Sequence, residues 1–140
     1  MKISKLLAAL LLPCAGVAYA APAKYIIIDH STAPWMDQAQ AESIWLKRQD
    51  NGPKFVKLYP AKKWGFLSQV EGGIDASKTC VITARTLMLP VRGKQLLFKP
   101  AKSATTFGSQ PNASLEQCKA LATAKLDEAV QALGSALIPN

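Results

Sequence analysis

The sequence predicts an α+β domain: a small antiparallel β-meander packed by a C-terminal amphipathic helix and a second, N-terminal helix, with one disulfide. Three observations point there. Short runs of β-branched and aromatic residues, separated by turn formers, fill the middle of the chain. Apolar residues recur at three- and four-residue spacing between Leu115 and Leu137. Two cysteines remain once an expected leader is set aside.

The leader comes first because the compartment depends on it. Met1 to Lys5 carries two lysines and no acid, and Leu6 to Leu12 is an unbroken apolar run. Ala18-Tyr19-Ala20 then places small residues at the −3 and −1 positions of a signal-peptidase site. Residues 1–20 therefore read as a cleaved signal peptide, and 21–140 as one domain exported to the periplasm. Two prolines and an Ala- and Gly-rich second half argue against stable membrane insertion of 6–23. A lipoprotein reading of Cys14 needs a small residue before the cysteine, where Pro13 stands.

A mature chain of this length can hold its own core, and a 49% hydrophobic content excludes disorder. Charge is unevenly placed. From Lys47 to Lys102 there are twelve basic residues against Asp50, Glu71 and Asp75, a surplus of nine, while both flanks are slightly acidic. That asymmetry points to an anionic partner. Cys80 and Cys118, in an oxidising compartment, are expected to pair. Closing a loop of about 39 residues stabilises by about 3–4 kcal/mol. No second thiol lies near either cysteine and His30 is remote, so no metal and no cofactor is expected.

The elements follow in order. Lys24 to His30, with Tyr25-Ile26-Ile27-Ile28, reads as a buried strand, and Pro34 opens a helix reaching Gln49. Asp50-Asn51-Gly52-Pro53 stops it. Lys54 to Tyr59 and Trp64 to Val70 are expected to form a hairpin through Pro60 to Lys63, with Glu71-Gly72-Gly73 as the next break. Thr79 to Leu89 reads as the longest strand, turning at Pro90 to Gly93 into Lys94 to Lys99. Ser103 to Pro111 reads as a loop that Thr105-Thr106-Phe107 could convert into sheet. Ser114 and Gln117 make a capping box for the last helix, with Gly134 placed to end it. Pairing Cys118 with Cys80 would seat that helix on Cys80, Ile82, Ala84 and Thr86. Val81, Thr83, Arg85 and Leu87 would face the other way, covered in part by the first helix or a partner.

Few residues carry chemistry. Asp29-His30-Ser31 holds the residue types of a hydrolase triad, but strand neighbours diverge, and a strand end before a helix explains the tripeptide better. Glu71 and Asp75 flank a turn without an evident means of raising a pKa, so a small envelope hydrolase is the weakest reading. The distinctive stretch is Lys54, Lys57, Tyr59, Lys62, Lys63 and Trp64, where lysines interleave with rings. Such a composition suits single-stranded nucleic acid, yet export removes that partner and no paired aromatic RNA-binding motif is present. The expectation is a non-catalytic periplasmic binding protein using this basic surface on an acidic protein, such as an immunity protein against an envelope-targeting toxin. The alternative is a module for an anionic envelope surface: lipopolysaccharide, phospholipid or wall polymer.

Overall fold

The computed structural model describes residues 24–48 and 52–138. The expected leader over residues 1–20, and the turn residues Asp50 and Asn51, lie outside the described residues. Eight elements follow one another: β1 (Ile27–Asp29), α1 (Gln38–Arg48), α2 (Gly52–Leu58), β2 (Trp64–Ile74), β3 (Cys80–Arg92), β4 (Gln95–Leu96), β5 (Lys102–Gln110) and α3 (Leu115–Leu137).

The start signal of α3 works as its sequence implies. The Ser114 hydroxyl accepts from the Gln117 N–H at 3.2 Å, and the Gln117 side chain accepts from the Ser114 N–H at 2.8 Å. Two donors that a helix start leaves unpaired are thereby satisfied. Cys118, Ala122, Leu126, Ala129, Val130, Leu133 and Leu137 turn inward. The helix does not stop at Gly134 but runs on to Leu137. Leu137 is buried, and its carbonyl accepts the Tyr59 hydroxyl at 3.1 Å, so packing and a side-chain cap extend the last turn.

The sheet is built on a long hairpin. β2 and β3 pair antiparallel from Trp64 opposite Pro90 to Ile74 opposite Cys80. β5 lies antiparallel on the far side of β3, from Lys102 opposite Met88 to Gln110 opposite Cys80. β1 adds to β2 in parallel, Ile27 beside Phe66, so the sheet is mixed and mostly antiparallel. Glu71-Gly72-Gly73 does not break β2. A Cβ at Gly72 would run into the Val81 carbonyl, and Gly72 has φ +115°, so glycine lets the strand continue where its neighbour comes close. The turn lies further on, where Asp75 Oδ1 accepts from the Ser77 N–H (2.8 Å), the Ser77 hydroxyl (2.6 Å) and the Thr79 N–H (2.9 Å).

Alternation sorts the two sheet faces. Phe66, Ser68, Val70, Cys80, Ile82, Ala84, Thr86 and Met88 are buried on the side covered by helices. Cys80 and Cys118 are disulfide-bonded, with Cα atoms 5.6 Å apart, tying the start of β3 to the first turn of α3. The buried hydroxyls of the sheet are hydrogen-bonded: that of Thr86 donates to the Ala129 carbonyl (3.1 Å), and that of Ser68 accepts from the Trp45 indole N–H (2.7 Å). That indole also stacks on Phe66 at 4.5 Å. Helix α1 thus joins α3 on one face instead of covering the opposite one. It also starts later than Pro34, because Asp37 caps it: Asp37 Oδ1 accepts from the Gln40 N–H at 2.8 Å.

Two further expectations are corrected. Lys94 to Lys99 is not a full strand, since only Gln95 and Leu96 pair, with Arg92 and Val91. Ser103 to Pro111 is not a loop, since most of it is β5. Polar Ser and Thr on both faces hide the alternation there, but Thr106 sits under α3 and donates to the Lys125 carbonyl at 2.7 Å. On the helix-free face, Leu67, Leu89 and Leu96 form a small second core, with Ile26, Ile28, Leu87 and Val91 against it.

Candidate functional site

The expected lysine-and-aromatic hairpin does not form. Lys54 and Lys57 lie on α2, a helix, and not on a strand. Short apolar runs fit either period; here Phe55 and Tyr59, four residues apart, decide for the helix. Phe55 is buried, with its ring 6.0 Å from Tyr25, 6.2 Å from Phe66 and 5.5 Å from Tyr59. Pro53 is tolerated because it falls in the first turn.

The rings and the lysines therefore part company. Tyr59 is half-buried and donates to the Leu137 carbonyl, while its own carbonyl accepts the Tyr25 hydroxyl at 2.6 Å. Burial raises the Tyr25 pKa, keeping that hydroxyl a donor. Trp64 is half-buried and meets Tyr59 edge-on at 6.4 Å. Both rings belong to the packing of the core. Lys54, Lys57, Lys62 and Lys63 are exposed.

What the fold adds is a set of cations from a distant part of the sequence. The Lys63 carbonyl accepts from the Val91 N–H at 2.8 Å, so the turn before β2 lies beside the end of β3. Arg92 and Lys94 follow on the β3–β4 turn, where Gly93 takes φ +63°. Lys99 and Lys102 return at the same end, since Lys102 stands opposite Met88 and the Ala101 N–H donates to the Met88 carbonyl at 2.9 Å. Lys57, Lys62, Lys63, Arg92, Lys94, Lys99 and Lys102 thus gather at one end of the sheet, with Lys54 one turn back along α2. All eight are exposed, and among the described residues none forms an ion pair.

Acids lie elsewhere. No Asp or Glu occurs between Asp50 and Glu71 or between Asp75 and Glu116. Glu71, Asp75 and Glu116 belong to the other end of the sheet, and the ion pairs Lys119–Glu116 (2.9 Å) and Lys125–Glu128 (2.6 Å) lie along α3. The domain is charge-polarised. Sequence reasoning places the basic surface on one hairpin and misses Arg92, Lys94, Lys99 and Lys102. The signal available for them is the acid-free run from 76 to 115.

The other candidates are separated by the fold. The Ser31 hydroxyl donates to Asp29 Oδ1 at 2.6 Å and accepts from the Val70 N–H at 2.9 Å. It pins the chain leaving β1 to the edge of β2. His30 points away, exposed, its ring stacked 5.7 Å from Phe98. Glu71 shares a small cleft of about 110 Å³ on the helix-free face with Gln69, Thr83 and Arg85, whereas Asp75 is engaged in its turn. A wider groove of about 670 Å³ runs between α1 and α3, lined by Ile44, Lys47, Ala120, Thr123, Ala124 and Asp127. Among the described residues no cluster of His, Cys, Asp and Glu is placed to hold a metal ion. Nor is any described helix long and apolar enough to cross a membrane.

The class this defines is a disulfide-linked α+β domain with helices on one sheet face and a cationic pole. No protein-family model matches the chain, and no curated protein matches it in sequence. Among solved structures it is similar to the PelC dodecamer from Paraburkholderia phytofirmans, at 14% identity and a TM-score of 0.46, over 76% of this chain and 85% of that one. A single-substitution variant of the same PelC dodecamer gives 12% identity and a TM-score of 0.45, over 77% and 85%. At these values the likeness transfers neither function nor assembly to this chain.

Proposed function

We propose that the mature chain is a non-catalytic binding protein of the periplasm, docking through its cationic pole on anionic envelope material. One observation carries this reading: eight exposed cations at one end of the domain, none of which forms an ion pair among the described residues. They stand on turns, strand ends and a short helix, on flexible stems. Such a field attracts extended negative charge and sets encounter rate more than it selects a shape. It would be screened over about 8 Å at physiological ionic strength.

A second reading keeps an acidic protein as the partner, including a toxin that this chain would block as an immunity protein. The observation favouring it is on α2, where Val56 (46% exposed) and Leu58 (52% exposed) flank Lys57, with Lys54 on the same helix. Apolar area bordered by charge is the anatomy of a protein interface.

Capture from periplasmic extract at low and high salt separates the two. Charge-driven binding to lipid or polymer should fade as salt rises, whereas a packed protein interface should largely persist. Reversing Lys57, Lys62 and Lys63 to Glu should slow association with the anionic material. Association at the wild-type rate in low salt would eliminate the cationic pole as the binding surface.

A further inference from the structure

From the strap that links β4 to β5 we infer the partner of the cationic pole: an anionic phospholipid bilayer, into whose interfacial layer Leu97 and Phe98 insert. The inference rests on the reading above and narrows it to one surface.

The strap is held, not loose. Leu96 is buried and fills the space that Gly65 leaves: a Cβ on Gly65 would come within 2.5 Å of Leu96 Cδ2 and 2.7 Å of the Ile26 carbonyl. The Leu97 N–H donates to the Pro90 carbonyl at 2.9 Å, and the Ala101 N–H to that of Met88. Between these anchors the side chains turn outward. Leu97 is 40% exposed and Phe98 67%, although the Phe98 ring leans on His30. Single exposed apolar side chains are ordinary on a protein surface; two consecutive ones held outward on a tethered segment make a small contiguous patch, the kind that marks an interaction site.

Their neighbours name the use. Arg92, Lys94, Lys99 and Lys102 bracket the pair on both sides, all exposed and without an acid partner. Apolar side chains rimmed by cations fit the boundary between anionic headgroups and acyl chains, where both parts of the patch are satisfied at once. A soluble polyanion would use only the cations. A protein groove receiving Phe98 would need the rim to meet acids one by one. The bilayer matches both charge and apolarity without demanding a shape.

Charge brings the domain to the surface and insertion holds it there. Each cation near an anionic leaflet is worth about fivefold in partitioning. Burying the outward parts of Leu97 and Phe98 is worth about tenfold or more together.

The test uses the chain beginning at Ala21, co-sedimented with phosphatidylcholine vesicles or with vesicles containing about a quarter phosphatidylglycerol. Binding is expected only to the second kind. Phe98→Trp should give an indole shielded from an aqueous quencher when those vesicles are added. The L97S/F98S variant, with an unchanged melting temperature, should bind them about tenfold more weakly, yet bind soluble polyphosphate as the wild type does. Equal vesicle binding by that variant would show adsorption by charge alone and overturn the insertion. Binding of polyphosphate, but of neither vesicle, would overturn the bilayer while leaving the cationic pole standing. Binding of neither polyphosphate nor vesicle would remove both.

Discussion

Replacing both members of the Cys80–Cys118 bond with alanine isolates what the cross-link does for this fold. The two residues are 38 apart in sequence. In the chain-entropy treatment, releasing a loop of that size returns about 4 kcal/mol of freedom to the unfolded chain. Both side chains are fully buried, so alanine adds a small cavity penalty that simple reduction does not. For a domain of this size, about 4 kcal/mol corresponds to a fall in Tm of roughly 15 °C. Far-UV circular dichroism melts of the intact protein, the reduced protein and C80A/C118A should show that fall, with the double variant lowest. The bond lies at the end of the sheet away from the cations. Below the new melting point, anion binding should therefore be retained. Melting temperatures within about 3 °C of one another, or two thiols titrating in the denatured, unreduced protein, would refute the reasoning.

The other predictions concern single groups. Trp64→Ala removes a half-buried ring that packs on Tyr59, so stability should fall by about 2–3 kcal/mol by denaturant titration while polyanion affinity stays within a few-fold; the reverse pattern would make Trp64 a contact residue. Reversal of Lys57, Lys62 and Lys63 should act on the association rate, measured by stopped flow across a salt series, and leave the dissociation rate nearly unchanged. His30→Ala should leave any envelope activity within a few-fold, since a general base would cost two or more orders of magnitude. The hydrogen bonds from the Ser77 hydroxyl and the Thr79 and Ser77 N–H groups hold the Asp75 pKa below the ordinary aspartate value. Its folded form is the more acidic, so the turn's contribution is full above about pH 4 and fades as pH falls through the lower, native pKa. Carboxyl NMR titration of the wild type, beside Asp75→Asn as the unresponsive control, checks the direction.

How much was legible depends on whether a signal was local. The capping box and spacing of α3 are complete within their own segment, and they locate the helix start at Ser114. The disulfide followed from compartment and count. Lys54 to Tyr59 could not be settled locally, because Phe55 points inward only once Tyr25 and Phe66 are placed beside it. For β5 the difficulty was different: its inward residues, Ala104, Thr106 and Gly108, are small or polar and carry no hydrophobic stripe. The helix at Gly134 continued because of Tyr59, 78 residues from Leu137. The same distinction holds for the site. Lysine chemistry at 54–63 was readable, but its neighbours at 92–102 arrive through strand register, which no short window contains. Leu97 and Phe98 fall in a run that reads as a strand, and only their exposure on the strap marks them out.

The hydrogen-bonded run from Tyr25 through Tyr59 to Leu137 has a practical consequence. It brings the first described residues and the last to the same end of the molecule as the lysines. An affinity tag joined close to Lys24 or Ile138, or immobilisation there, would crowd the cationic pole, and a polyhistidine or acidic tag would alter its field. The opposite end, around the Asp75–Thr79 turn, is exposed and carries the acids. A fluorophore or surface linkage placed at Ser77 would leave the pole facing solution, and binding data from tagged and untagged protein can be expected to differ for that reason alone.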